Sequence, residues 1–274
     1  MNECATKYPI LLLHGMGFRD RKYLGYWGRI PKRLEAKGAK LFYGNQDSNA
    51  TIEKNAEMVA ENLSEILKIT GAEKVNIIAH SKGGLEARYM ISSLGLADKV
   101  ASLSTINTPH NGSRTVDRLL KFPRPIIKLG SKCADIWMRM LGDKSPDTFK
   151  VLYQFKSSSA AHFNEDNPAA EGVYYQSFWF KMKHAFSDMS MVIPYLVVKL
   201  FEGDNDGLLP EHSVIYGNYR GMYTSSSGRG ISHADQVDLR RMRLTRKKPK
   251  NDHEISDITE FYVQLVSEHK EMGY

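Results

Sequence analysis

The sequence predicts an α/β fold with a mostly parallel central sheet and helices on both faces. Two observations carry this. Short apolar runs alternate with longer segments of helical spacing along most of the chain. The apolar runs are nearly continuous and stop at glycine-containing turns, as strands buried on both faces do.

Residues 9–13 (PILLL) read as a buried strand that stops at His14-Gly15-Met16-Gly17. Residues 26–37 read as a helix ended by Gly38, and 39–43 as a second short strand. Residues 52–67 put Ile52, Ala56, Val59, Leu63 and Ile66 on one helical face. Asn49 or Thr51 would cap that helix, and Gly71 lies beyond its end. A strand at 74–79, a helix at 83–94 closed by Gly95, and a strand at 100–106 follow. Residues 195–201 (YLVVKLF) read as a further strand, and 255–269 as a final amphipathic helix. The rhythm breaks between about 114 and 163, where VDRLLKF and PIIKLGSKCADIWMRMLG are helix-like, basic and apolar. This interval is expected to form a cap, or lid, over the C-terminal edge of the sheet. It would belong to a single domain spanning residues 1–274.

Composition narrows the function. With 274 residues, 42% hydrophobic and 10% aromatic, the chain can bury a sizeable core. Two cysteines exclude a disulfide scaffold and a cysteine-rich metal site. The net charge of +7 invites an anionic partner. The one strongly basic run, RRMRLTRKKPK at 240–250, has no aromatic residue, so no nucleic-acid role is expected. The most apolar run, 189–201, contains Pro194 and Lys199 and is too short to cross a bilayer. The opening MNECATKYPI shows no signal peptide, which suits a cytoplasmic or processed secreted protein.

The chemistry centres on Ile78-Ala79-His80-Ser81-Lys82-Gly83-Gly84. A strand ends here and a helix begins at once. A serine in so sharp a turn projects its hydroxyl from the sheet edge, and its neighbours two residues away must be small, as Ala79 and Gly83 are. A serine needs a base to take its proton, and the base needs an orienting carboxylate. Asp206, in Asp204-Asn205-Asp206-Gly207, is the expected acid, with Asp204 its rival. His233, in the glycine-rich loop before the last helix, is the expected base. His212, His253 and His269 also follow the acid; the last two are expected to be solvated. Acyl transfer also requires donors for the oxyanion, and the backbone N–H groups of Met16 and Lys82 are assigned to that task.

LLLHGMG, IIAHSKGGLEARY, STINTPHNGS, NDGLLP and SHADQVD, in that order, resemble the motifs of bacterial triacylglycerol lipases of the α/β-hydrolase superfamily. The resemblance implies the α/β-hydrolase fold. It implies a serine ester hydrolase acting on acylglycerols or similar hydrophobic esters, with Ser81, Asp206 and His233 as triad and no organic cofactor. A phospholipase or polyester hydrolase on the same triad, or a non-catalytic relative that binds a hydrophobic ligand, is the alternative. The partner would be lipid, met through transient contact with an interface. The resemblance further implies a structural calcium beside the histidine loop, with Asp235 and Asp188 as ligands; the alternative is that Asp235 only caps the following helix.

Overall fold

The computed structural model describes residues 2–17 and 25–274. The strands are β1 (Ile10–Leu13), β2 (Leu41–Tyr43), β3 (Val75–His80), β4 (Val100–Ile106), β5 (Tyr174–Phe180), β6 (Asn218–Ser225) and β7 (Glu254–Ile255). They form one seven-stranded sheet in the order β2-β1-β3-β4-β5-β6-β7, with every neighbouring pair parallel. The chain leaves β1 towards one edge, then returns to lay β3 on the other side of β1. The loops leaving the carboxyl ends of β1 and β3 therefore diverge, which is where sheets of this kind open a binding crevice.

The helices are α1 (Ile30–Glu35), α2 (Ile52–Thr70), α3 (Lys82–Ser92), α4 (Arg114–Leu119), α5 (Arg124–Met140), α6 (Thr148–Gln154), α7 (Ser157–Asp166), α8 (Val192–Glu202), α9 (Glu211–Val214) and α10 (Ile258–Glu271). Strand side chains alternate between faces, and two cores result. Ile10, Leu12, Ile78, Ile106, Phe178 and Phe180 meet α1 and α10. Leu11, Leu13, Val75, Ile77, Ala79 and Leu103 meet α2 and α3. The ends of α2 follow its sequence: Thr51 accepts from the Lys54 N–H, and Gly71 closes the helix at φ 67°.

Several expectations need correction. Residues 192–202 form helix α8, not a strand. Tyr195 and Val198 are buried while Ile193, Leu196 and Leu200 face outward, a helical spacing hidden inside an almost wholly apolar run. Two long strands, β5 and β6, carry no clear signal in the sequence pattern. Gln176 interrupts the apolar pattern of β5, yet it is buried and donates to Ser104 Oγ at 2.8 Å. Arg220 and Gly221 obscure β6. Helix α1 is shorter than expected, with residues 26–29 forming a turn before Pro31. His269 is fully buried against Ser104 and Gln176 instead of solvated.

The interval between β4 and β5 holds α4 to α7, and polar contacts fix it before α4 and after α5. The buried carboxylate of Glu202 accepts from Ser113 Oγ at 3.0 Å and from the Thr115 N–H at 2.7 Å, where α4 begins. After α5, Asp143 accepts from the N–H groups of Ser48 and Asn49 at 3.0 and 2.8 Å. Asp47 in return accepts from the N–H groups of Lys144 and Ser145, both at 2.7 Å. Between these anchors α5 buries little more than Ser131 and Met138. Both cysteines are free, Cys4 buried and Cys133 exposed on α5.

Candidate active site

Ser81 joins β3 to α3 with φ 54° and ψ −128°, a conformation that strains any residue with a side chain. Its N–H donates to the Ile106 carbonyl at 2.9 Å, so neighbouring β4 holds the turn. Close approach explains the small residues around it. A Cβ on Gly83 would lie 2.7 Å from the His14 carbonyl oxygen. A Cβ on Gly15 would lie 2.8 Å from Ser81 Cβ and 2.7 Å from the Tyr26 hydroxyl. The loop after β1 therefore presses directly against the serine, with Met16 half-buried beside it.

Asp206 is fully buried and surrounded by donors. Its Oδ2 accepts from His233 Nδ1 at 2.6 Å, Asn107 Nδ2 at 2.6 Å and Gln236 Nε2 at 2.8 Å. Its Oδ1 accepts from the N–H groups of Leu208 and Leu209 at 2.9 and 2.8 Å. Burial alone would push this carboxyl up. The charge and hydrogen bond of His233 and the two backbone N–H groups outweigh burial and hold it below the usual range. The His233 N–H also donates to the Asp206 carbonyl at 2.8 Å, joining the two loops by their backbones. The element before Asp206 is not the strand expected at 195–201. Asp206 follows α8, and the Met182 N–H bond to the Asn205 carbonyl returns this loop to the end of β5. The rival Asp204 is half-exposed and binds Lys181 and Lys199, whose hydrogen bonds lower its pKa to about 2. His212 meets Glu202 at 3.2 Å, away from Asp206.

A further set of polar side chains backs His233. His80 lies between Tyr26 and Gln236, with its ring centroid 4.4 Å from that of His233. The Gln236 Oε1 can only accept, so His80 Nε2–H donates to it at 2.9 Å. His80 Nδ1 then accepts from the Tyr26 hydroxyl at 2.6 Å. Burial, reinforced by the charge of His233, keeps His80 neutral. Tyr26, His80 and Gln236 thus form a hydrogen-bonded chain from the loop after β1 to the Asp206 carboxylate. Its nearest sequence signals are the positions of His80 beside Ser81 and of Gln236 three residues after His233.

Lys82 has two separate parts. Its N–H opens α3 beside Ser81, where a helix N-terminus favours negative charge. Its side chain runs inward, and Nζ donates to the Ala50 carbonyl and to Glu86 Oε1, both at 2.7 Å. Glu86 also accepts from Asn55 at 2.7 Å and from Gln46 at 3.1 Å. Gln46 reaches the His14 carbonyl at 3.2 Å, so the buried pair ties α3 to the loop after β1. Asn49 Oδ1 accepts from the Gly17 N–H at 3.3 Å while Asn49 Nδ2 donates to Thr148 Oγ1 at 2.7 Å. That residue connects the same loop to the cap.

The implied calcium ligands do not fit a metal. Both oxygens of Asp235 accept from the Arg240 guanidinium. Asp188 Oδ2 accepts from Ser232 Oγ at 2.6 Å, and its Oδ1 accepts from Ser190 N and Oγ at 3.0 and 2.7 Å. Every carboxylate oxygen that would have faced the ion faces an N–H or O–H donor. Among the described residues no cluster of three His, Cys, Asp or Glu is arranged to hold a metal. None of their helices is long and apolar enough to cross a membrane.

Residues 9–194 match the family model described as palmitoyl protein thioesterase. The chain is similar to a triacylglycerol lipase of Pseudarthrobacter phenanthrenivorans, at 30% identity over 61% of this chain and 56% of that protein. It is equally similar to a triacylglycerol lipase of Burkholderia plantarii, at 30% over 61% of this chain and 49% of that one. The chain spans about half the length of these relatives. Its fold is that of a mature Bacillus licheniformis lipase (TM-score 0.66, 19% identity, 86% of this chain and 88% of that one). It is also that of a Staphylococcus hyicus lipase (TM-score 0.66, 16% identity, 98% of each chain).

Proposed function

The chain belongs to the palmitoyl protein thioesterase family and has the α/β-hydrolase fold, and we propose that it is a serine ester hydrolase acting on acylglycerols or similar hydrophobic carboxylic esters. The observation that carries this reading is the 2.6 Å bond from His233 to a fully buried Asp206, in a chain whose Ser81 is held at positive φ at the head of α3.

In this reading His233 Nε2 takes the Ser81 proton and Ser81 Oγ attacks the ester carbonyl. Asp206 fixes the tautomer by accepting from Nδ1–H and stabilises the imidazolium that forms. The N–H groups of Met16 and Lys82 bind the oxyanion; one such donor is typically worth about 3–4 kcal/mol. The imidazolium protonates the departing alcohol, leaving an acyl-enzyme. Water, deprotonated by His233, then releases the acid and frees Ser81.

The outer surface supports the substrate class. On α5, Ile126, Leu129, Trp137 and Met140 are exposed beside Arg124, Lys128 and Lys132. On α8, Ile193 and Leu200 are each about three-quarters exposed. Apolar faces with adjacent cations suit contact with a lipid interface. In this reading α5 is the moving part of the cap, because polar contacts hold its flanks. Activity should then rise when substrate passes its solubility limit, and a smooth saturation curve through that limit would argue for a fixed cap.

A thioester substrate is the second reading, favoured by the description of the matching family. A thiolate leaves with less need of a proton than an alkoxide, so the same residues would serve. Turnover of p-nitrophenyl esters from C4 to C16 and of palmitoyl-coenzyme A, wild type beside Ser81→Ala, separates these cases. Long-chain ester turnover lost in the variant is expected. A preference for the thioester would favour the second reading. No turnover of any of these substrates would instead favour a ligand-binding relative.

A further inference from the structure

We propose that the guanidinium of Arg240 is the resident cation of the histidine loop, fixing by a covalently attached charge the turn that a divalent ion was expected to hold. The loop that carries His233 is tied at Ser232 and Asp235. The Ser232 N–H donates to Asp235 Oδ2 at 3.2 Å, and the Asp235 N–H donates to Ser232 Oγ at 3.1 Å. Ser232 Oγ–H donates in turn to Asp188 Oδ2 at 2.6 Å. That bond joins the turn to the segment leading into α8. The site thus brings two buried carboxylates to one serine, Asp188 to the Ser232 hydroxyl and Asp235 to its N–H.

Two buried negative charges this close require a positive partner. Arg240 supplies it. Its Nε meets Asp235 Oδ1 at 2.7 Å and its Nη2 meets Oδ2, the two-pronged geometry in which guanidinium binds carboxylate best. The same charge helps keep Asp188 ionised, alongside the donors from Ser232 and Ser190 that offset its burial. Arg229, on the same loop, donates through Nε and Nη2 to the Ser187 carbonyl and closes the other side. Calcium demands six to eight oxygens free to face it. Here the four carboxylate oxygens already face donors. Arg240 is therefore a positioning residue: it acts on the reaction through the Ser232–Asp235 turn and so through the ring of His233. This inference extends the proposed function, and its first readout, thermal melting, does not depend on hydrolysis.

The test is melting of the full chain in excess EDTA and in 5 mM CaCl2, for wild type, Arg240→Ala and Arg240→Lys. Wild type should melt at the same temperature in both buffers. Arg240→Ala, which leaves Asp235 buried and unpaired, should melt about 10 °C lower. Arg240→Lys should recover part of that loss, since lysine restores the charge but not the two-pronged contact. Under initial-rate conditions Arg240→Ala should lower kcat more than it changes KM, with partial rescue by lysine. A wild-type melting temperature that rises in calcium or falls in EDTA overturns the proposal. So does an Arg240→Ala protein that melts with wild type. Should Arg240→Ala not fold, the wild-type comparison and Arg240→Lys still decide.

Discussion

Replacing Glu86 with Gln should destabilise the protein far more than an ordinary isosteric change. The Lys82 and Glu86 side chains are 1% and 0% exposed and meet at 2.7 Å. Without the carboxylate's charge, Lys82 Nζ is left with neutral acceptors alone, the Ala50 carbonyl and the new amide oxygen, in a site closed to water. Breaking a buried pair from one side costs about 3–5 kcal/mol, because a charge is left without a partner. Removing both charges, as in Lys82→Met with Glu86→Gln, should recover most of this, since the amide oxygen still accepts from Asn55 or Gln46. Urea denaturation of wild type, both single variants and the double variant closes the thermodynamic cycle. A cost below about 1 kcal/mol for Glu86→Gln, or a double variant worse than the sum of the singles, would refute the reasoning. The cycle bears on function because this pair holds the first turn of α3 against the loop that carries Met16.

Stability should also fall steeply on mild acidification. Burial keeps His80 and His110 neutral far below pH 6.5, and it lowers His269 to about 4. The unfolded chain binds a proton on each near pH 6.5 while the native state does not. Stability is therefore full above that pH and declines as pH falls towards the native values. Three such groups amount to roughly 3–4 kcal/mol lost between pH 6 and pH 5. Denaturation midpoints at the two pH values check this, and His269→Gln should flatten the dependence by about a third. Asp206→Asn places an amide where five donors converge on the carboxylate and permits the wrong His233 tautomer. It should lower kcat by about 10⁴-fold while the protein stays folded by circular dichroism; a loss below tenfold would remove Asp206 from the triad.

The elements that position Ser81 were legible because their signals are local. The run into Ser81, the small residues at 79 and 83 and the glycines after β1 lie in two short stretches of sequence, although the close approaches that demand them join Gly83 to His14 and Gly15 to Ser81. His233 and Asp206 could be ordered along the chain, but their 2.6 Å contact depends on two loops meeting. What sequence concealed was pairing across the fold. Gln176 and His269 look solvent-facing until they are seen to satisfy each other and Ser104 inside the sheet. Helix α8 was mistaken for a strand because its outward face is as apolar as its inward one. Lys82 enters the sequence reading only through its N–H, with no sign that Glu86, one helical turn later, buries its charge. Arg240 sat in a basic run that reads as a solvated loop, and only the fold reveals Asp235 as its partner.

The most direct measurement is covalent labelling of Ser81, the proposed nucleophile. Incubation with diethyl p-nitrophenyl phosphate, followed by intact-mass and peptide analysis, should show one diethylphosphoryl group on Ser81. Labelling should be absent in Ser81→Ala and strongly slowed in His233→Ala, which lacks the proposed base. A label on any other residue, or equal labelling of Ser81→Ala and wild type, would contradict the assignment of Ser81 as the nucleophile.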